Sequence, residues 1–275
     1  MNNVPHTDAF YDDLRRMLEA HARGVQKLVS LPPEVAAVLE AVETAESGAV
    51  DVPETPGEEG VAAAAPAPLE HAPGEAIPPP PKVTGNTPEE ALAALERIVS
   101  GCTRCTLSGS RTQTVFGAGH PRSDVVFVGE APGYHEDKQG IPFVGRAGQL
   151  LTDIIEKGMG LKRADVYICN VLKCRPPENR DPKPVEVAAC EPFLMQQLEI
   201  MNAKVIIALG KYAAQTLLKC DLPVGRMRGR WWEYHGIPLR VTYHPAYLLR
   251  NPPQKHGCWE DIQAVMQHLG IKRPK

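Results

Sequence analysis

The 275-residue chain carries 30 Lys/Arg against 33 Asp/Glu, a formal net charge of -3, with seven cysteines and 27 prolines. It has no 18-residue apolar run, and the start MNNVPHTDAFYDD is acidic where a secretion signal is basic and then apolar, so a cytoplasmic protein is expected. In a reducing compartment seven cysteines do not form a disulfide framework, so clustering among them points to metal binding or reactivity.

Charge is spread unevenly. Residues 1–86 hold 5 bases and 14 acids, a net of -9, whereas residues 87–275 hold 25 bases and 19 acids, a net of +6. The longer part therefore suits a polyanionic partner.

In chain order, residues 1–46 come first. Tyr11, Leu14, Leu18, Val25 and Leu28 recur at helical spacing, and a second short helical stretch follows the Pro32-Pro33 break. This predicts a helical appendage with a face for a protein partner and no chemistry of its own. Residues 47–86 contain nine prolines, six acids and one lysine. So few large apolar groups cannot offset the entropy of ordering, which predicts a disordered tether. Thr87-Pro88-Glu89-Glu90 then supplies an N-cap, a first-turn proline and a capping-box acid, opening the globular domain, residues 87–275.

Within that domain strand-like runs alternate with amphipathic helices: Val125–Val128, helix Ala147–Lys157, Val166–Leu172, helix Val185–Met201, Val205–Leu209 and helix Lys211–Leu218. The rhythm predicts an α/β fold, a three-layer α/β/α domain around a mainly parallel sheet. Trp231–Tyr234 and Leu239–Tyr243 flank a turn and read as a hairpin, and a last helix spans roughly Trp259–Leu269. Ligands bind such sheets at the carboxyl ends of the strands, which directs attention to the loops after Val128, Ile168, Leu209 and Tyr243.

The first of these loops is rich in glycine, as phosphate-binding loops are, but Glu130, Glu136 and Asp137 would repel a phosphate and no Gly-Lys-Ser/Thr ending occurs. An uncharged planar ligand fits better, with Phe143 as a stacking face. After the last of them, His244-Pro245 leaves a strand end and is followed by Tyr247-Leu248-Leu249-Arg250, apolar groups on a stiff turn beside a base, the makings of a wedge into stacked DNA. Cys102 and Cys105 form a C-x2-C pair, and Cys174 and Cys190 have fifteen residues between them; four thiolates from two segments can close a tetrahedral zinc site or hold a cubane iron–sulfur cluster. Lys173, Arg175, Arg180 and Lys183 surround the third thiol and read as a positive lip. Cys169, Cys220 and Cys258 read as small core residues.

Taken jointly, Cys102/Cys105, Gly129-Glu130-Ala131-Pro132-Gly133, Glu136-Asp137, Gly140 through Gly148, Asn170 with Lys173-Cys174-Arg175-Pro176-Pro177, Cys190 and His244 through Arg250 resemble the family 4 uracil-DNA glycosylases, the iron–sulfur branch of that superfamily. The resemblance covers about residues 87–270. It implies a DNA-repair enzyme, monomeric, that flips uracil out of DNA and hydrolyses its N-glycosidic bond, with a [4Fe-4S] cluster on the four cysteines and zinc as runner-up. By the same resemblance Phe143 stacks on the flipped base and Asn170 reads its edge, with Gly129, Ala131 and Tyr134 around it. His244 stabilises the departing anion, and Glu130, or secondarily Glu136, positions water. Tyr247, Leu248, Leu249 and Arg250 serve as wedge, and Lys173 and Arg175 contact the DNA backbone. Family 1 enzymes carry Asp where Ala131 stands, so another group must handle the water here. Tyr134 is either a wall against the thymine methyl or a shield over the pocket. Two rivals stand beside this expectation: a covalent uracil-trapping relative, disfavoured because no basic insertion precedes His244-Pro245, and a non-catalytic metal-containing DNA-binding module.

Overall fold

The computed structural model describes residues 77–272. The expected appendage, residues 1–46, and most of the expected tether lie outside them. The last ten tether residues do not: Pro80 is buried, Val83 N donates to Gln196 Oε1 at 3.0 Å, Gln196 Nε2 donates to Pro81 O at 3.1 Å, and an Arg104 guanidinium N–H donates to Pro78 O. The expectation of disorder through residue 86 is corrected there, because Gln196 on a helix and Arg104 in a loop satisfy two proline carbonyls and the Val83 N–H.

Helix α1, Pro88–Ser100, starts on its expected cap, with Thr87 Oγ1 accepting from Glu90 N at 3.2 Å. The Glu90 carboxylate reaches one residue further back than a capping box requires, to Asn86 N at 3.0 Å. There follow β1 (Ala118–Gly119), β2 (Val125–Gly129), α2 (Tyr134–Gln139), α3 (Gly145–Asp153), β3 (Tyr167–Asn170), α4 (Pro184–Met201), β4 (Val205–Leu209), α5 (Lys211–Leu218), α6 (Val224–Met227), β5 (Trp231–Tyr234), β6 (Ile237–Thr242), α7 (Pro245–Arg250) and α8 (Lys255–Leu269). Helix α3 runs on into a wider π-type turn, Ile154–Met159. Sequence reading missed β1, α2, α6 and α7, which are too short for periodicity to show.

The six strands form one sheet in the order β1-β3-β2-β4-β6-β5. The four inner strands are parallel and the two edge strands antiparallel. Strands β2 and β4 are buried along their whole length, as apolar runs covered on both faces must be. Val126, Val128, Ile206, Ala208, Leu239 and Val241 join α1, α4 and α5 in one core. Their neighbours Phe127 and Ile207, pointing the other way, are equally buried, as are Leu151, Ile155, Ile262 and Val265 from the α3 segment and α8. No helix among the described residues is long and apolar enough to cross a membrane.

Candidate active site

Register brings the strand ends level. Gly129 pairs with Asn170 across β2 and β3, and Leu209 with Thr242 across β4 and β6, so four connecting loops open from one edge. At Gly129 the backbone passes so close to its neighbours that an added Cβ would overlap Asn170 Oδ1 and lie 2.6 Å from Phe143 Cζ. That one position therefore shows the amide and the aromatic ring converging on the end of β2.

Phe143 is buried and held at φ 53°, a left-handed conformation costly for a residue with a side chain. Its turn is clamped from outside. Arg163 Nη2 donates to the carbonyls of Pro142 and Phe143 at 2.7 and 3.1 Å, and Glu136 Oε1 accepts from Val144 N at 2.9 Å. The Phe143 ring lies 5.5 Å from the His244 ring, inclined at 34°. Asn170 is 2% exposed, and its Oδ1 has no hydrogen-bond partner. A buried acceptor left open costs about 1–3 kcal/mol, so a native structure that keeps one has a use for it.

His244 caps α7. Its Nδ1 accepts from Ala246 N at 3.1 Å, which places the proton of the neutral ring on Nε2. Burial, aided by Arg250, lowers its pKa to about 4, so the ring is neutral at physiological pH and offers an uncharged N–H. Across the site, burial together with Asp181 raises the Glu130 carboxyl to about 7, against a smaller opposing pull from Lys211. Asp181 is held by the Tyr212 hydroxyl. Sequence reading assigned nothing to Asp181, Lys211 or Arg163; Lys211 directly follows Gly210 in a loop already marked for search, and was the one within reach.

A sequence profile of the uracil DNA glycosylase superfamily matches residues 116–264. The chain is 42% identical over 193 residues to the type-4 uracil-DNA glycosylase of Archaeoglobus fulgidus, covering 67% of this chain and 96% of that one. It is 48% identical over 167 residues to the type-4 enzyme of Thermotoga maritima, covering 60% and 86%. The chain belongs to the type-4 uracil-DNA glycosylase family. A type-5 uracil-DNA glycosylase of Pyrobaculum aerophilum is more remote, 30% identical over 143 residues, with 46% and 63% covered.

Two features of this type-4 chain differ from the sequence expectation. In the turn after His244, Leu248 is 1% exposed and faces the core, while Tyr247 and Arg250 face solvent, because one helical turn cannot present adjacent residues on the same side. Leu248 is thus withdrawn as wedge. Tyr247, named in the same expectation, lies at the surface, stacked on Tyr243 with centroids 5.2 Å apart. The basic lip also shrinks. Lys173 is buried inside the domain and cannot touch a phosphate, and Arg180 is tied to Glu186 at 2.5 Å, leaving Arg175 and Lys183 nearer solvent. The Arg175 guanidinium lies 5.2 Å from the Tyr134 ring, which is half exposed at the rim. Glu136, bound to Val144 N, serves the Phe143 turn.

Cys102, Cys105, Cys174 and Cys190 line one small space between α1, α4 and the segment after β3. Among the described residues no three His, Cys, Asp or Glu side chains gather as ligands of one ion. Four thiols facing one space are a donor set that suits either zinc or an iron–sulfur cluster. N–H groups already point at the sulfurs: Arg111 Nη1 is 3.2 Å from Cys174 Sγ and Lys173 N is 3.2 Å from Cys190 Sγ. Burial pushes the Cys174 thiol up to about 11, so a metal would be needed to draw off its proton. Cys169 and Cys258 are buried elsewhere, and Cys220 is half-buried beside Met227.

Proposed function

We propose that this chain excises uracil from DNA by hydrolysing the N-glycosidic bond, leaving an abasic site. The observation that carries this is the unpaired, buried Asn170 Oδ1 beside a stacking ring and a neutral imidazole. Uracil presents N3–H and O4 along the edge that an asparagine amide complements, Oδ1 accepting and Nδ2 donating; cytosine presents the opposite pattern and is rejected. The target nucleotide must leave the stack, because its glycosidic carbon is inaccessible within it. Tyr247 stands where a side chain filling the gap would enter, and Arg175 and Lys183 offer backbone contacts.

Cleavage of the C–N bond leaves positive charge on the sugar and negative charge on the base. His244 Nε2–H, donating to uracil O2, stabilises the anion without having to surrender its proton. Glu130, as carboxylate, orients water and offsets the sugar cation. Ala131 has no group to share that task. The four cysteines would hold an iron–sulfur cluster, which braces the loop between β3 and α4; the excision chemistry needs only the chain's own side chains.

The test is incubation with single- and double-stranded DNA bearing uracil, thymine or cytosine, followed by cleavage at abasic sites and a denaturing gel. Abasic product from uracil alone is the expected result. Intact glycosidic bonds throughout would overturn the reading, and a protein band shifted by attached DNA would replace it with covalent trapping.

A further inference from the structure

Between the amide at the end of β3 and the cysteine-lined space runs the segment Asn170–Cys174, whose lysine points inward. Lys173 is 1% exposed. Its Nζ donates to the backbone carbonyl of Asn170 at 2.7 Å and to Gln197 Oε1 at 2.5 Å, with the Phe116 ring 6.0 Å away. Gln197 Nε2 in turn donates to Phe116 O at 3.0 Å and to the Tyr167 hydroxyl at 3.2 Å. The lysine backbone is held as firmly, its N–H on Cys190 Sγ and its carbonyl accepting from Val115 N at 2.8 Å.

Burying a lysine is expensive, and a methionine of similar length would fill the same space without the cost of stripping water from an amine. What the amine adds is a tether on one peptide, the one that carries the Asn170 side chain. We infer that Lys173, anchored by Gln197, is a positioning residue for base recognition: it fixes the Asn170 peptide so that the unpaired amide oxygen stays aimed into the pocket. Ammonium and neutral amine both supply the N–H required. Because Cys174 is the next residue, the same brace joins the pocket to the cysteine-lined space. This inference rests on the uracil-reading role proposed for Asn170.

A double-mutant cycle on the full-length, metal-loaded protein decides it. Single-turnover excision from uracil-DNA is measured for wild type, Lys173→Met, Asn170→Ala and the double variant, alongside affinity for undamaged DNA and the melting temperature. Lys173→Met should excise on the order of 10- to 100-fold more slowly, the penalty of a small misplacement in a site, with undamaged-DNA affinity within about twofold of wild type. In the Asn170→Ala background Lys173→Met should cost nothing further, since the group it positions is gone. Equal losses in both backgrounds would overturn the inference and leave Lys173 as a general prop of the fold. Should Lys173→Met not accumulate as folded protein, Gln197→Leu, which keeps the lysine and removes its anchor, carries the same cycle with the same two outcomes. If Asn170→Ala excises uracil like wild type, the reading of the pocket itself fails and the inference falls with it.

Discussion

At the residue scale, the proposed function separates a group that would read the base from groups that would react. Asn170→Ala and His244→Ala should each lose at least about a hundredfold in single-turnover excision, while binding to undamaged DNA, which depends on phosphate contacts, changes little. Competition binding with undamaged DNA alongside the rate measurement checks both halves. Glu130 makes a sharper prediction. If its carboxylate orients the water, the single-turnover rate should rise with pH and reach half its maximum near 7, where this group titrates. Glu130→Gln should flatten that limb and slow the reaction on the order of 10²-fold. Its stability should move the opposite way. The folded state holds this proton up to pH about 7 and the unfolded chain only to about 4.5, so the folded state binds more protons between them and wild-type stability falls as pH rises across that window. Glu130→Gln should therefore melt higher than wild type at pH 8, and a lower melting temperature would contradict the desolvation of Glu130. That Phe143, Asn170 and His244 meet at one strand edge was legible in the sequence because each follows a strand end in a segment carrying the family resemblance. Asp181 was not: it approaches Glu130 from a distant loop, and nothing local in the chain marks that meeting.

At the element scale, α7 shows how a short helix sorts its side chains. Leu248, sealed in the core, and Tyr247, open to solvent, should respond differently to truncation. Leu248→Ala should destabilise the protein by about 2–5 kcal/mol in denaturant melts, the usual cost of a buried leucine. Tyr247→Ala should leave the melt almost unchanged and slow excision from duplex DNA about tenfold, roughly 1.4 kcal/mol, with a smaller effect on single strands, where no stack has to be parted. Equal effects on both strand forms would remove Tyr247 from the wedge role. The sequence expectation gave the wedge role to Tyr247, Leu248, Leu249 and Arg250 together; one turn of helix, invisible to periodicity at six residues, turns Leu248 inward and leaves Tyr247 outside. Longer elements left no such ambiguity. Strand β4 and helix α5 have the ends that their apolar pattern and the intervening glycine assign them.

At the scale of the whole molecule, the four thiols bring the loop after α1, the segment after β3 and α4 to one space, and a cluster held there, as proposed, would tie them together. If the thiols hold the proposed iron–sulfur cluster, Cys174→Ser should give protein with less visible absorption and a lower melting temperature, read by absorbance and calorimetry on the same sample. The sheet and its two covering layers were legible from the alternation of runs, since βαβ order leaves few parallel arrangements. The anchoring of residues 77–86 was not, because composition reports what a segment lacks, whereas docking depends on a complementary surface, here Gln196 and Arg104, far along the chain.

The strand order carries a last consequence. Asn170 rides on β3 and His244 follows β6, with β2 and β4 lying between them, so the pocket draws on strands contributed across most of the domain. A chain still emerging from the ribosome, or clipped before its final hairpin, owns the recognising amide but not the imidazole. On the function proposed above, such a fragment should leave uracil in DNA untouched, and excision should appear only with the completed sheet.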